Sequence, residues 1–411
     1  MSRPLLVKAS AFLWASVVFM PVGLNYLGGA TVLVALLSAG GLSERTARWR
    51  EHPLRWPLTA YVLWTLVVFA LQPHYSETAS NLWHGMRIAV TIAMTVVLSD
   101  DETVWALRGF LFGALLALAA MLLTHMAGLP DLLIWHNVAV MKGNKSINDA
   151  LLFAVLGASA AVWGLSHLSD ALGRWRCAGA AFAATVGAAA IVTVVLPSRT
   201  SLLALLAAVL AACVHQWRGQ LRSLFVALCV VGIAGGGLMS QAPSAQEKFR
   251  LGVQEVETAQ AGAVSEGSWV VRFYMYRETA RMMLDKPWAG WGIGGWTTEW
   301  HRRAPKLLYD YNMPHNDFLW MGAQAGVPGL LTLLLILLIG MRHAWRRHDL
   351  TGRLAFVSML ILLLATSVNS AMRDAAIGLS LPWIAFLYLR LVQVPGNSWR
   401  RVWTLHRIEK T

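Results

Sequence analysis

Residues 316–341 read NDFLWMGAQAGVPGLLTLLLILLIGM. A stretch this long and this apolar is enough to cross a bilayer, which needs roughly 20 mostly apolar residues. Eleven further segments qualify on the same reading: about 5–20, 22–41, 57–72, 82–98, 104–127, 147–167, 177–196, 201–216, 223–241, 354–372 and 375–394. All twelve are expected to be helical, because an open segment in lipid can satisfy its backbone polar groups only within itself. The predicted fold is therefore an all-α polytopic membrane protein with about 12 transmembrane helices. Residues 1–411 form a single membrane-embedded domain.

Composition agrees. Of 411 residues, 57% are hydrophobic and 13% charged, and the mean hydropathy is +0.53. A soluble domain carries about 25% charged residues, so a water-soluble multidomain enzyme is excluded. The net charge of +13 sits between apolar runs, which points to lipid headgroups and topology signals and away from nucleic acid. Cys177, Cys213 and Cys229 lie in apolar runs and give neither a disulfide framework nor a cysteine metal site. Residues 5–20 read as a first membrane helix and not as a cleaved signal.

Lysine and arginine in short loops set orientation. With the N-terminus inside, the cytoplasmic segments hold Arg3, Lys8, Arg45, Arg48, Arg50, Arg55, Arg174, Arg176, Arg218, Arg222, Arg342, Arg346, Arg347, Arg353, Arg400, Arg401, Arg407 and Lys410. The short outer loops hold only Lys142, Lys145, Arg199 and Arg373. Both termini are expected in the cytoplasm. Residues 242–314, between spans 9 and 10, form an outer loop too long to be a plain connection. Within it, Val270–Leu284 places Phe273, Tyr276, Ala280, Met283 and Leu284 near one face at helical spacing.

The candidate chemistry lies on that outer face. His315 follows Pro314 and precedes an apolar helix; with an unperturbed pKa of about 6.5 it suits a general base, or simply a helix-start residue. Arg199, in Pro197-Ser198-Arg199-Thr200-Ser201, suits a phosphate or pyrophosphate, or snorkels to lipid. Arg272 lies about 140° around its helix from Arg277 and about 180° from Arg281 at 100° per residue, so one arginine can face inward while two face water or headgroups. Gly290-Trp291-Gly292-Ile293-Gly294-Gly295 lacks the strand–turn–helix setting of a nucleotide loop and reads as a flexible turn, with Trp288, Trp291 and Trp296 at the interface. Asp100, Asp101 and Glu102 are acidic but cytoplasmic. No metal-ligand spacing is present on the outer face, and no cofactor is expected.

Three of these stretches together resemble the bacterial O-antigen ligases and related enzymes. They are Pro197-Ser198-Arg199-Thr200; Lys286-Pro287-Trp288-Ala289-Gly290-Trp291-Gly292-Ile293-Gly294; and His315-Asn316 followed by Gly326-Val327-Pro328-Gly329. The motifs cover about 195–330. The resemblance implies a GT-C type glycosyltransferase of the bacterial inner membrane. It would transfer a polysaccharide from undecaprenyl pyrophosphate to lipid A–core on the periplasmic face, in lipopolysaccharide biosynthesis. By motif position His315, Arg199 and Arg272 are the catalytic residues. Arg277, Arg281, Lys145 and Asn316 are candidates for substrate binding. An O-antigen polymerase and a protein O-oligosaccharyltransferase share the pattern. A lipid-linked glycan flippase is the alternative of another class, with Arg87 as the only charge well inside a span.

Overall fold

The computed structural model describes residues 3–127, 145–168, 175–196, 198–240 and 243–392. Its helices are α1 (Arg3–Ser16), α2 (Val22–Ser38), α3 (Leu42–Glu51), α4 (Arg55–Leu71), α5 (Thr78–Val97), α6 (Asp100–Ala127), α7 (Lys145–Leu168) and α8 (Trp175–Ala190). They continue as α9 (Arg199–Trp217), α10 (Leu221–Ser240), α11 (Pro243–Gln260), α12 (Ser268–Asp285), α13 (Gly295–Arg303), α14 (Asp317–Arg346), α15 (Leu350–Val368) and α16 (Ile377–Arg390). Among the described residues there is no strand.

Each of the twelve predicted segments coincides with a helix, but not every helix is a crossing. Among the described residues six helices are long and apolar enough: the spans Asp100–Met121, Ile147–Leu168, Trp175–Val195, Arg199–Trp217, Asp317–Arg346 and Leu350–Val368. A seventh is added if α2 and α3, bent by 112° at their junction, count as one. The linear reading scored apolarity and not helix length. At 1.5 Å per residue α1 reaches about 21 Å, short of the roughly 30 Å hydrocarbon core. The segment read as 82–98 belongs to a helix whose buried face carries Asn81, Arg87, Thr91 and Thr95.

Close packing is achieved with small residues. On α6, a Cβ at Gly109 or Gly113 would stand 2.1 or 2.3 Å from the carbonyl oxygens of Phe12 and Ser16. The glycine pair four residues apart thus lets α1 lie directly against α6, the small-xxx-small device of membrane helices. α7 and α15 run through the middle of the bundle, and α15 packs on α14, α16, α9 and α7.

The two ends of the bundle differ chemically. At one end lie the ion pairs Lys8–Asp101, Arg45–Glu102 and Arg390–Asp100, with Arg45 and Arg48 donating to the Val97 carbonyl. The acidic trio is therefore matched, residue by residue, to basic partners. At the other end the starts of α5, α14 and α16 gather at the end of α15 and the turn that follows it.

The connection between α10 and α14 is built as a small body of its own. α11, α12, α13 and a 3-10 turn at Lys306–Leu308 enclose a core of Val270, Tyr274, Met275, Met282, Trp296, Trp300 and Leu308, closed by Ala323 of α14. The buried face of α12 is Val270, Val271, Tyr274, Met275, Glu278, Thr279 and Met282. This corrects the face expected from spacing: Phe273, Tyr276 and Met283 sit at its edge, and Ala280 and Leu284 are exposed. Polar Glu278 and Thr279 are drawn in because each has a partner: Glu278 pairs with Arg277 and Arg281, which reach out toward the surface, and Thr279 accepts from the buried Trp296 indole.

Candidate functional site

The loop body is fastened to α14 at a break in that helix. Gly326 has φ 70° and ψ −175°, a conformation essentially confined to glycine. The break leaves the carbonyls of Ala323 and Gln324 without their helical donors, since Val327 N–H turns away and Pro328 has none. Trp291 N–H takes the first at 2.8 Å and Gly292 N–H the second at 3.0 Å, while Val327 N–H bonds the Pro287 carbonyl at 2.7 Å. Trp64 Nε1 donates to the Ala325 carbonyl. The accounting closes: the glycine-rich segment and the Gly-Val-Pro-Gly segment are two halves of one main-chain joint. The glycine run is accordingly an anchored turn and not a free one. Of its tryptophans, Trp288 is exposed while Trp296 is buried and stacked on Trp300.

Eleven residues before the break at Gly326, the start of α14 presents His315. Asn316 caps the helix, its Oδ1 accepting Leu319 N–H at 3.0 Å and its Nδ2 donating to the Ser367 carbonyl at 2.7 Å. Tyr276 of α12 donates its hydroxyl to the His315 carbonyl at 3.1 Å. His315 itself has φ 52°, the one non-glycine residue with positive φ among those described. The left-handed region costs roughly 1–2 kcal/mol for a side chain with a Cβ, so the imidazole is held in a strained backbone pinned from both sides. Burial pushes its pKa down from 6.5 to about 4, and the charges of Arg272 and Arg373 push the same way. The imidazole is thus neutral at ordinary pH.

The arginines separate into two kinds. Arg277 and Arg281 share the buried carboxylate of Glu278, at 2.8 and 2.9 Å, and Arg277 also lies over the rings of Phe273 and Tyr274. Arg272 has no carboxylate partner among the described residues, and its Nε is buried without a hydrogen bond. Sequence spacing divided these three residues into one and two, and the structure divides them the same way.

Arg199 opens α9. Ser198 caps that helix, its Oγ accepting Ser201 N–H at 3.2 Å, and a π-turn at Ile191–Val195 precedes it. The Arg199 side chain is exposed. Its place follows from the far end of α9, where His215 packs on Phe356 near the start of α15. The two helices are therefore antiparallel. Sixteen residues back along α9, about 24 Å at 1.5 Å per residue, carries Arg199 past the α15 end, about 7 Å beyond the level at which Asn316 bonds Ser367. Arg199, Arg272 and His315 thus lie at the same end of the bundle. Lys145 opens α7 but its side chain is outside the described residues, as are Lys142 and Pro197.

Sequence reasoning gave the turn between α15 and α16 no part in the chemistry, counting Arg373 only as an outer-loop charge, yet the turn borders the same site. Asp317, fully buried, accepts Met372 N–H at 2.8 Å and Arg373 N–H at 3.2 Å. From the opposite side Arg87 of α5 donates to the carbonyls of Met372, Arg373 and Asp374 at 2.9, 3.0 and 2.7 Å, and to the Tyr26 hydroxyl at 2.8 Å. Arg87 is thereby committed largely to main-chain acceptors. The available signal was Asp317 itself, a carboxylate two residues beyond His315 at the head of an apolar run. Among the described residues no group of three or more His, Cys, Asp or Glu is arranged to hold a metal.

Comparison with known proteins adds one match. Residues 183–334 fit the family model described as O-antigen ligase, an interval that contains Arg199, Arg272, His315 and both halves of the main-chain joint. No curated protein matches the chain.

Proposed function

Starting from the O-antigen ligase superfamily, which the match over residues 183–334 supports, we propose that this multi-pass membrane protein is an O-antigen ligase. It moves a polysaccharide from undecaprenyl pyrophosphate to lipid A–core at the periplasmic face of the bacterial inner membrane. Members of the family are membrane glycosyltransferase-like enzymes acting on lipid-linked polysaccharide. The finer reading rests on one observation above all: a strained, neutral imidazole at a helix start, beside an arginine with no carboxylate partner.

The chemistry follows from those two groups. The acceptor hydroxyl gives its proton to His315 as its oxygen bonds the anomeric carbon. The bond from that carbon to the pyrophosphate breaks, and the electron pair leaves with undecaprenyl pyrophosphate. Arg272 and Arg199 hold the negative charge that grows on the leaving phosphate, where a guanidinium fork makes paired charge-assisted bonds. A single displacement inverts the anomeric centre. The neighbouring cation disfavours imidazolium and keeps the base ready. Arg87, committed to the 372–374 carbonyls, is not free to line a transport path, which favours transfer over flipping.

Acceptor choice is the test. The purified protein, given one lipid-linked glycan, is offered lipid A–core or a second lipid-linked glycan. Product on lipid A–core alone is expected; product on the second glycan alone would make it a polymerase.

A further inference from the structure

We propose that Arg373 is a third donor-binding residue, its guanidinium taking a phosphate oxygen of the lipid-linked substrate beside His315. The inference rests on the donor assigned above and extends it to a residue outside the matched interval.

Arg373 is 8% exposed, so most of its side chain is out of water. A buried guanidinium needs compensation. Its Nε stands 3.5 Å from Asn81 Oδ1, a long contact, and its two terminal nitrogens make no hydrogen bond among the described residues. Three carboxylates stand near enough to act on it, Glu77, Asp317 and Asp374, and each is engaged elsewhere. Asp317 accepts the Met372 and Arg373 N–H groups. Asp374 Oδ1 accepts those of Ala376 and Ile377 at the start of α16. Glu77 Oε2 accepts the Thr297 hydroxyl at 2.8 Å and the Asn81 amide at 3.4 Å. None forms an ion pair with Arg373.

Arg87 shows what a structural arginine looks like in this protein, with its terminal nitrogens directed at three carbonyls of the turn that carries Arg373 and at the Tyr26 hydroxyl. Arg373 is its opposite. Its backbone is clamped between Asp317 and Arg87, so the turn is held by main-chain contacts that need no Arg373 side chain. What remains is a fixed cation with two free donor groups, electrostatically coupled to His315. An anionic oxygen arriving at the imidazole meets the two donor groups that the protein leaves open, and a bidentate fork suits a phosphate.

The test measures binding of undecaprenyl pyrophosphate and of undecaprenol to the purified full-length chain, for wild type, Arg373→Ala and Arg373→Lys. Arg373→Ala should weaken the pyrophosphate lipid about ten- to a hundred-fold, the range of a lost hydrogen bond to a charged group, and leave undecaprenol binding unchanged. Arg373→Lys should fall between and, by keeping charge and bulk, carries the test if the alanine variant does not fold. An equal loss for both lipids would make Arg373 a scaffold residue and overturn the proposal, as would undiminished binding of the pyrophosphate lipid. A wild-type protein that binds both lipids equally would remove the donor assignment, and this proposal with it.

Discussion

Lowering the pH is the cleanest perturbation of the His315 assignment. The group that must be unprotonated has its pKa pushed to about 4 by burial, Arg272 and Arg373, in that order. The groups facing it are those two cations, the buried Asp317 two residues on, and the Tyr276 hydroxyl on its main-chain oxygen. An ordinary histidine with a pKa of about 6.5 would be only about one-tenth neutral at pH 5.5, whereas one near 4 would be about 97% neutral. The sign is that of a base: activity is present above its pKa and lost as pH falls through it. The profile of kcat/KM, which reports the free enzyme, should therefore be flat from pH 8 to 5.5 and fall only near pH 4. Arg272→Gln removes one of the two cations, so its acid limb should move to higher pH, independently of any drop in height from weaker donor binding. A wild-type limb centred near 6.5, or a limb in Arg272→Gln that does not move, would refute the reasoning.

Further outcomes follow from the packing. Gly326→Ala should destabilise the protein by about 3 kcal/mol or more, because its Cβ would stand 2.1 Å from the Trp288 carbonyl oxygen; thermal unfolding in detergent should show a lowered Tm or little folded protein. Arg281→Ala should reduce glycan transfer far less than Arg272→Ala, since Arg281 is more than half exposed and paired with Glu278; comparable losses in the two variants' transfer rates would argue that the ion-paired arginines also meet the donor. A cysteine at Ser265, between α11 and α12, should react with a membrane-impermeant reagent in intact spheroplasts, and labelling only after the membrane is breached would reverse the assigned orientation.

The helical membrane character was legible because apolar runs are a local property: every predicted segment lies on a helix. The number of crossings was not, because it depends on helix length and on which polar side chains a helix buries. Arg87 illustrates this. In sequence it is an isolated charge inside a span, and only the fold brings it to the carbonyls of residues 285 or more positions away. The motif residues were legible as separate stretches, and Arg272 could be told from Arg277 and Arg281 by helical angle. What spacing could not supply was the reason for the division, the shared carboxylate of Glu278. Nor could it supply the joint at Gly326, whose hydrogen bonds cross more than 30 residues, or the turn carrying Arg373, whose significance depends on the engagement of three carboxylates from separate parts of the chain.

The most direct measurement is glycan transfer by the purified chain in defined lipid, with an undecaprenyl-pyrophosphate-linked polysaccharide as donor and lipid A–core as acceptor, for wild type and His315→Asn. Asparagine tolerates the left-handed backbone of this position, so the variant should fold and bind donor. The account predicts transfer with inversion by the wild type and a loss of at least about a hundred-fold in His315→Asn, the scale of a missing general base. Transfer by His315→Asn at near the wild-type rate would contradict it.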